Sequence, residues 1–281
     1  VGDNPSTQTL SCGLPDTEIP DRPDSSGAPR SMAVHPSSQS LAVGDRAGRV
    51  RVFRLSSMTQ AQCINAHDAE VLTLQYSSTK NPPLGSAMSS PLPGSSLLAS
   101  AGRDRLVHIF DAPEPSEDYT LLTTLDNHSS SVTAMSFTND SRRLVTCGGD
   151  KTMVFSSING NEISRLKSVQ TSNGTISGLA VDATNKFAVT SGQDKKVHIW
   201  NVASGKHVRA YRQDSWGEFY KCDIDPSGMF IATCGFDKVI RILDFFSGEV
   251  VGEVAGHSEL VTGIKFSPDG NFLITVGGDG Y

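Results

Sequence analysis

Three sets of side chains in this sequence combine an imidazole, a hydroxyl and a carboxylate: His67, Ser100 and Asp104; His128, Thr146 and Asp150; His257, Thr275 and Asp279. A carboxylate that orients an imidazole, which in turn draws the proton from a hydroxyl, is the constellation of nucleophilic catalysis. The trio recurs, however, always with the Asp four residues after the hydroxyl and a Gly one or two residues before the Asp. A reaction centre has no need of three copies, and each Asp is committed to a turn. The trios read as buried hydrogen-bond networks that specify a repeated unit, and no catalytic residue is expected.

Two further turns carry the same hydroxyl and carboxylate, Thr190 with Asp194 and Thr233 with Asp237, and the five Asp residues are separated by 46, 44, 43 and 42 residues. A period of this length, filled with short alternating strands and turns, is that of four-stranded propeller blades. The fold class is therefore all-β, a WD40-type β-propeller with about six blades visible of an expected seven. A single blade cannot bury its own faces, so residues 31–281 are expected to form one domain. Residues 1–30, with five Pro and no apolar alternation, read as a linker or extended arm. Residues 80–96 interrupt blade two with four Pro and five Ser and are expected to be a disordered insertion, in which Ser90-Pro91 is a candidate phosphorylation step. Val1 in place of Met suggests an excerpt of a longer protein, and the last visible blade is expected to be incomplete.

In the WD40 arrangement the loop leading into a blade supplies the His, the second strand the hydroxyl, the turn the Asp, and the third strand ends in Trp. Blade four keeps Trp200 but has no loop His, blade five has Leu243 where the Trp belongs, and in blade one Ala47 stands at the Asp position with Asp45 two residues early. Around these lapses lie two candidate partner-binding groups. The loop 212–221 places Trp216, Phe219 and Tyr220 together, near Phe236 on the neighbouring turn; these rings form either an exposed recognition patch or a filling for the space the His and Trp vacate. Arg46, Arg103 and Arg105 sit in the turns of blades one and two, where guanidinium groups are suited to a phosphorylated peptide, although a solvated rim looks the same.

Composition narrows the function classes. The net charge is -6 and the 24 basic residues are scattered, which disfavours nucleic acid as a partner. No apolar run approaches the roughly 18 residues of a membrane span. The five cysteines form no CxxC pair and are odd in number, so neither a zinc site nor a disulfide framework is indicated and they are read as reduced thiols of a cytoplasmic protein, with Cys147 and Cys234 in the core. No cofactor and no metal are expected.

Longer strings carry a more specific resemblance: LAVGDRAGRVRV (41–52), INAHDAEVLTLQYS (64–77), LLASAGRDRLVHIFD (97–111), LDNHSSSVTAMSF (125–137), CGGDKTMVF (147–155), DPSGMFIATCGFDK (225–238) and DFFSGEVVGEVAGHSELVTGIKF (244–266). With IPDRPDSSGAP (19–29) they resemble the second propeller, and the arm entering it, of the mitogen-activated-protein-kinase-binding protein family and its microcephaly-associated spindle-pole members. The resemblance implies a non-enzymatic scaffold that assembles components of the c-Jun N-terminal kinase cascade. Its implied partners are proteins of that cascade, centrosomal or ciliary proteins, or further copies of the chain. The implied locations beyond the cytoplasm are centrosome, spindle pole and cilium. The insertion and the short arm depart from the family, and its kinase-docking residues map to a tail with no counterpart here.

Overall fold

A computed structural model describes residues 27–78, 95–113, 118–171 and 173–280. The expected linker up to residue 26, most of the insertion with Ser90, and Tyr281 lie outside the described residues. All regular structure described is β. Blade one consists of β1 (Pro29–Val34), β2 (Ser40–Asp45), β3 (Arg49–Arg54) and β4 (Thr59–Asn65), and blade two of β5 (Val71–Tyr76), β6 (Ser95–Gly102), β7 (Val107–Pro113) and β8 (Thr120–Leu125). Blade three is β9 (Val132–Phe137), β10 (Arg143–Gly148), β11 (Thr152–Asn159) and β12 (Glu162–Gln170), and blade four is β13 (Ile176–Val181), β14 (Phe187–Gly192), β15 (Val197–Asn201) and β16 (Lys206–Tyr211). Blade five is β17 (Phe219–Ile224), β18 (Phe230–Gly235), β19 (Val239–Asp244) and β20 (Val250–Ala255); the sixth sheet contains β21 (Val261–Phe266) and β22 (Leu273–Gly277). Two boundaries move relative to expectation. Strand β1 opens at Pro29 rather than Ser31, and β6 reaches back to Ser95, into the segment read as insertion.

Each sheet is an antiparallel meander in which strands consecutive in sequence are neighbours. Apart from the connection between β5 and β6, the turns between them are too short for the long crossover that parallel pairing would need. First strands of successive blades stand side by side: β1 against β5, β5 against β9, β9 against β13, β13 against β17 and β17 against β21. They surround a channel, and one cavity of about 490 Å³ is lined from all six, by Ala33, Gln75, Met135, Leu179, Lys221 and Ile264 among others.

The apolar core lies between blades. Val50, Val52, Leu74 and Leu98 join blades one and two; Leu97, Ile109, Phe137 and Leu144 join two and three. Val145, Phe155, Ala188 and Trp200 join three and four; Val189, Ile199, Phe219 and Ile231 join four and five; Ala232, Ile240, Val261 and Ile264 join five and six. The second strands of blades three, four and five, β10, β14 and β18, are apolar-rich runs buried at every residue after the first, because both of their faces meet a neighbouring blade. Each such side chain contributes about 1.5–3 kcal/mol, so the interfaces between blades, rather than the sheets alone, supply the stability.

Cys147, Cys222 and Cys234 belong to these interfaces, whereas Cys63 is exposed on β4. Burial pushes the Cys222 and Cys234 thiols up to about 12 and raises Cys147 further, so these three stay protonated and unreactive at neutral pH. Under native conditions a thiol alkylating agent should modify Cys63 and leave these three untouched until denaturant is added. Mass spectrometry of digested protein reads this directly, and native labelling of Cys147 would contradict the packing.

Candidate functional site

The turn between second and third strands sets the geometry of each blade's upper rim. The residue after the Asp position adopts a left-handed conformation in every blade: Gly48, Arg105, Lys151, Lys195, Lys238 and Gly280, with φ between 61° and 88°. For a side-chain-bearing residue this costs about 1–2 kcal/mol. The preceding carboxylate offsets it by accepting the backbone N–H two residues on, at 3.2 Å for Asp104 to Leu106, 3.0 Å for Asp150 to Thr152, 3.2 Å for Asp194 to Lys196 and 3.3 Å for Asp237 to Val239. The Gly two residues before the Asp answers a different need. The leading loop passes so close that a Cβ on Gly192 would lie 2.2 Å from the Thr175 carbonyl, and one on Gly235 2.1 Å from that of Glu218.

Blades two, three and six each close a relay above this turn. His67 donates from Nδ1 to Asp104 and accepts at Nε2 from Ser100, both at 2.8 Å. The matching distances are 2.9 and 2.8 Å for His128 with Asp150 and Thr146, and 3.0 and 2.9 Å for His257 with Asp279 and Thr275. These distances would serve a triad, but Ser100 is 0% exposed and Thr146 3%, so no substrate reaches either of these hydroxyls. Burial outweighs the attraction of Asp104 and holds His67 below the ordinary imidazole range. At Asp150 burial opposes ionisation, yet the bonds from Thr152, His128 and Ser129 prevail and its carboxyl sits below the usual carboxylate range.

Blades one, four and five, which lack the loop His, supply the side-chain donor from the third strand. His198 donates from Nε2 to Asp194 at 2.7 Å, and Arg241 donates to Asp237 at 2.6 Å. In blade one Asp45, although two positions early, turns inward: it accepts from the N–H groups of Ala47 and Arg49 at 2.9 Å and from the side chains of Arg49 and Arg51 at 2.8 and 3.0 Å. The expectation that blade one does without the carboxylate is corrected by this geometry. Arg51, His198 and Arg241 occupy one register position, opposite Val43, Thr190 and Thr233 on the second strand. The signal was in the sequence: each lies four residues after the turn position. Trp200, in the expected place, donates its ring N–H to Thr190 at 2.9 Å.

The aromatic candidates divide. Trp216 and Phe219 are 2% and 1% exposed, stacked edge-on with centroids 5.5 Å apart in the core between blades four and five. They fill the place of the absent loop His, so the reading of these two as an exposed patch is corrected. Among the described residues, the ring N–H of Trp216 and the hydroxyl of Thr233 are buried without a hydrogen-bond partner, as expected where a His that would bridge is missing. Phe236 is 52% exposed, with Tyr220 edge-on to it at 6.0 Å.

The Arg candidates converge on a residue the sequence reading passed over. Glu70, buried in the loop before β5, pairs with Arg103 at 2.8 Å and with Arg46 at 4.0 Å, and also pairs with Arg30. Arg103 and Arg46 keep 64% of their side chains exposed; Arg105 is in the same turn but outside this cluster. Arg30, Arg103, Tyr220 and Lys221 line a depression of about 500 Å³ at one mouth of the channel. Burial of its ammonium holds Lys221 below the ordinary lysine range.

A profile described as "WD domain, G-beta repeat" matches residues 119–155, 164–201, 206–244 and 248–281. The chain belongs to the WD40-repeat family. The matched stretches begin at the last strand of blade two and leave out blade one, where the Asp is displaced, and the first three strands of blade two, where residues 80–96 intervene, although both sheets have the same four-stranded form. Among curated proteins, WD repeat-containing protein 62 of Mus musculus is 40% identical over 278 residues, which is 94% of this chain and 17% of the relative. Mitogen-activated protein kinase-binding protein 1 of Homo sapiens is 40% identical over 281 residues, 95% of this chain and 18% of the relative. Cilia- and flagella-associated protein 52 of Sus scrofa is 33% identical over 92 residues, 33% of this chain. The chain thus spans less than a fifth of the length of the first two. Among the described residues no helix is long and apolar enough to cross a membrane.

Trp216→Ala should destabilise the WD40 domain by about 3–5 kcal/mol, as for other buried aromatic truncations, while Phe236→Ala should stay within about 0.5 kcal/mol of the parent; urea denaturation of the two variants makes the comparison. The His67 relay also predicts a pH dependence. Because its folded pKa is depressed, the unfolded chain takes up the proton first; the stabilisation is complete above 6.5 and is lost as pH falls from there through the folded value. The urea midpoint should drop between pH 7.5 and 5.5, and less so in His67→Gln; parallel profiles would rule out His67 as the titrating group.

Proposed function

We propose that this WD40 domain is a non-catalytic platform for protein partners within a larger scaffold, using the channel mouth where Tyr220, Phe236 and the Glu70-anchored guanidinium groups of Arg30 and Arg103 meet. The observation that carries this reading is the division of polar groups: imidazoles and hydroxyls suited to chemistry are consumed in buried relays, whereas the exposed groups are an aromatic pair and cations held in a fixed array. Aromatic and Arg side chains dominate the energetics of protein recognition. The likeness to mitogen-activated protein kinase-binding protein 1 supports a component of a stress-activated kinase cascade as the partner class, in the cytoplasm or on centrosome, spindle pole or cilium. If the chain is immobilised and a c-Jun N-terminal kinase cascade mixture is passed over it, the parent should retain a component that Phe236→Ala combined with Arg103→Gln loses tenfold or more. Equal retention by parent and double variant would remove the mouth as the binding surface.

A structural role in a microtubule assembly is the alternative, and it rests on the shorter likeness to the cilia- and flagella-associated protein; sedimentation of the chain with polymerised tubulin separates it from the first reading. A third reading, capture of a phosphorylated peptide, is favoured by Glu70. By binding Arg103 through Nε, it leaves the two terminal amino groups of the guanidinium pointing outward, the edge that grips phosphate. Arg103→Gln should then abolish binding of a phosphorylated peptide while sparing its unmodified form, as read by fluorescence anisotropy. If both forms bind the parent equally, that reading falls.

A further inference from the structure

Blade four contains a second arrangement that the relays do not use up. Asp194 accepts the Nε2 proton of His198 at 2.7 Å, which places the lone pair of the neutral ring on Nδ1. That lone pair faces Nε2 of His207 on the adjacent strand β16, 3.2 Å away. Two ligand atoms of a tetrahedral zinc ion, each 2.0–2.1 Å from the metal, are separated by about 3.3 Å. The carboxylate behind His198 is the outer-shell partner that metal-bound imidazoles generally have.

The local fold explains why the rings meet. Strands β15 and β16 pair His198 with Ala210 and Ile199 with Arg209, and then skip one residue so that Trp200 pairs with His207. Without that bulge Val208 would face Trp200 and His207 would point to the opposite side of the sheet. Every four-stranded blade carries the bulge between its third and fourth strands, but the residues at these two places differ: Arg51 and Gln60, His108 and Leu121, Val154 and Arg165, Arg241 and Val250. Only blade four puts two imidazoles there among the described blades. Trp200 lies edge-on to His207 with centroids 4.9 Å apart and orients the exposed ring.

We propose that His198 and His207 form a binding site for a divalent transition-metal ion of the zinc, nickel or copper(II) type, with Asp194 as the outer-shell carboxylate. The pair opens onto a cleft of about 740 Å³ between blades three and four, lined also by Val169, Thr171 and Gly205, which leaves room for water to complete the coordination. On binding, both lone pairs go to the metal, and the proton that His207 donates from Nε2 moves through solvent to its Nδ1, so no net proton is released. Lys196 and Lys206 oppose the incoming charge and Asp194 offsets them, while Lys167 is engaged with the Ser204 carbonyl at 2.9 Å.

A second set of metal-type side chains, His67, Asp104 and His108, is the obvious competitor. It is a poorer site because the accepting nitrogen of His67 is held by the buried hydroxyl of Ser100, whereas that of His198 faces a second imidazole that can itself bind the ion. Nitrogen lone pairs suit this class of ion, and blade four offers one that a hydrogen bond has already aimed.

Isothermal titration of tag-free chain with Zn²⁺, paired with electron paramagnetic resonance of the Cu²⁺ form, tests the site. The expected result is one ion per chain and nitrogen couplings from two imidazoles. His207→Ala, a surface change that should leave the urea midpoint unaltered, should weaken binding tenfold or more and remove one coupling; Asp194→Asn should cost roughly 10- to 100-fold in affinity. His108→Leu should change neither. Absence of binding to the parent, or binding that survives His207→Ala and disappears in His108→Leu, overturns the proposal.

Discussion

The bond from a turn carboxylate to the backbone N–H two residues onward is the interaction on which this molecule depends. It makes a left-handed residue tolerable at Arg105, Lys151, Lys195 and Lys238, and thereby fixes how second and third strands leave the turn. Its other lone pairs collect a side-chain N–H donor from the loop or from the third strand. One carboxylate thus coordinates turn, strand and, in blades two, three, five and six, the loop from outside the sheet. Asp45 shows how strong the requirement is: it stands two residues out of place and still makes every one of these contacts.

Packing and polar bonding divide the work. A net hydrogen bond is worth about 1 kcal/mol, less than one buried Leu or Val in the interfaces between blades. The relays therefore do not supply most of the stability. They penalise alternatives: a sheet slipped by one residue would strand His128 or Asp150 without partners in a dry interior, at a cost of several kcal/mol. Apolar side chains such as Val145 and Phe155, which would accept many arrangements, are held to one.

The architecture was legible in the sequence because the Asp period is a direct image of the blade, and three relays were legible because their His and hydroxyl keep fixed offsets from it. Side-chain direction was not. Nothing in the string RQDSWGEFYK distinguishes Trp216, turned into the interface, from Tyr220, on the rim; the answer depends on the void left by a His that blade five does not have. Arg51, His198 and Arg241 were missed because attention fell on the loop, although their offset from the turn is constant. Glu70 was invisible for another reason: its Arg partners come from two blades, Arg30 and Arg46 from blade one and Arg103 from blade two, and only the junction of those blades brings them together.

The interchange of loop and strand donors also sets how each loop is tied to its sheet. In blades two, three and six the loop imidazole is a rivet: a partner pulling on that loop pulls on Ser100, Thr146 or Thr275 at the centre of a sheet. In blade four the rivet is set from within, His198 to Asp194, and Thr175 ahead of β13 is tied to the turn through the backbone N–H and side-chain amide of Gln193 instead. Load applied at the rim therefore reaches the second strand directly in blades two, three and six, and only by way of the turn in blades four and five.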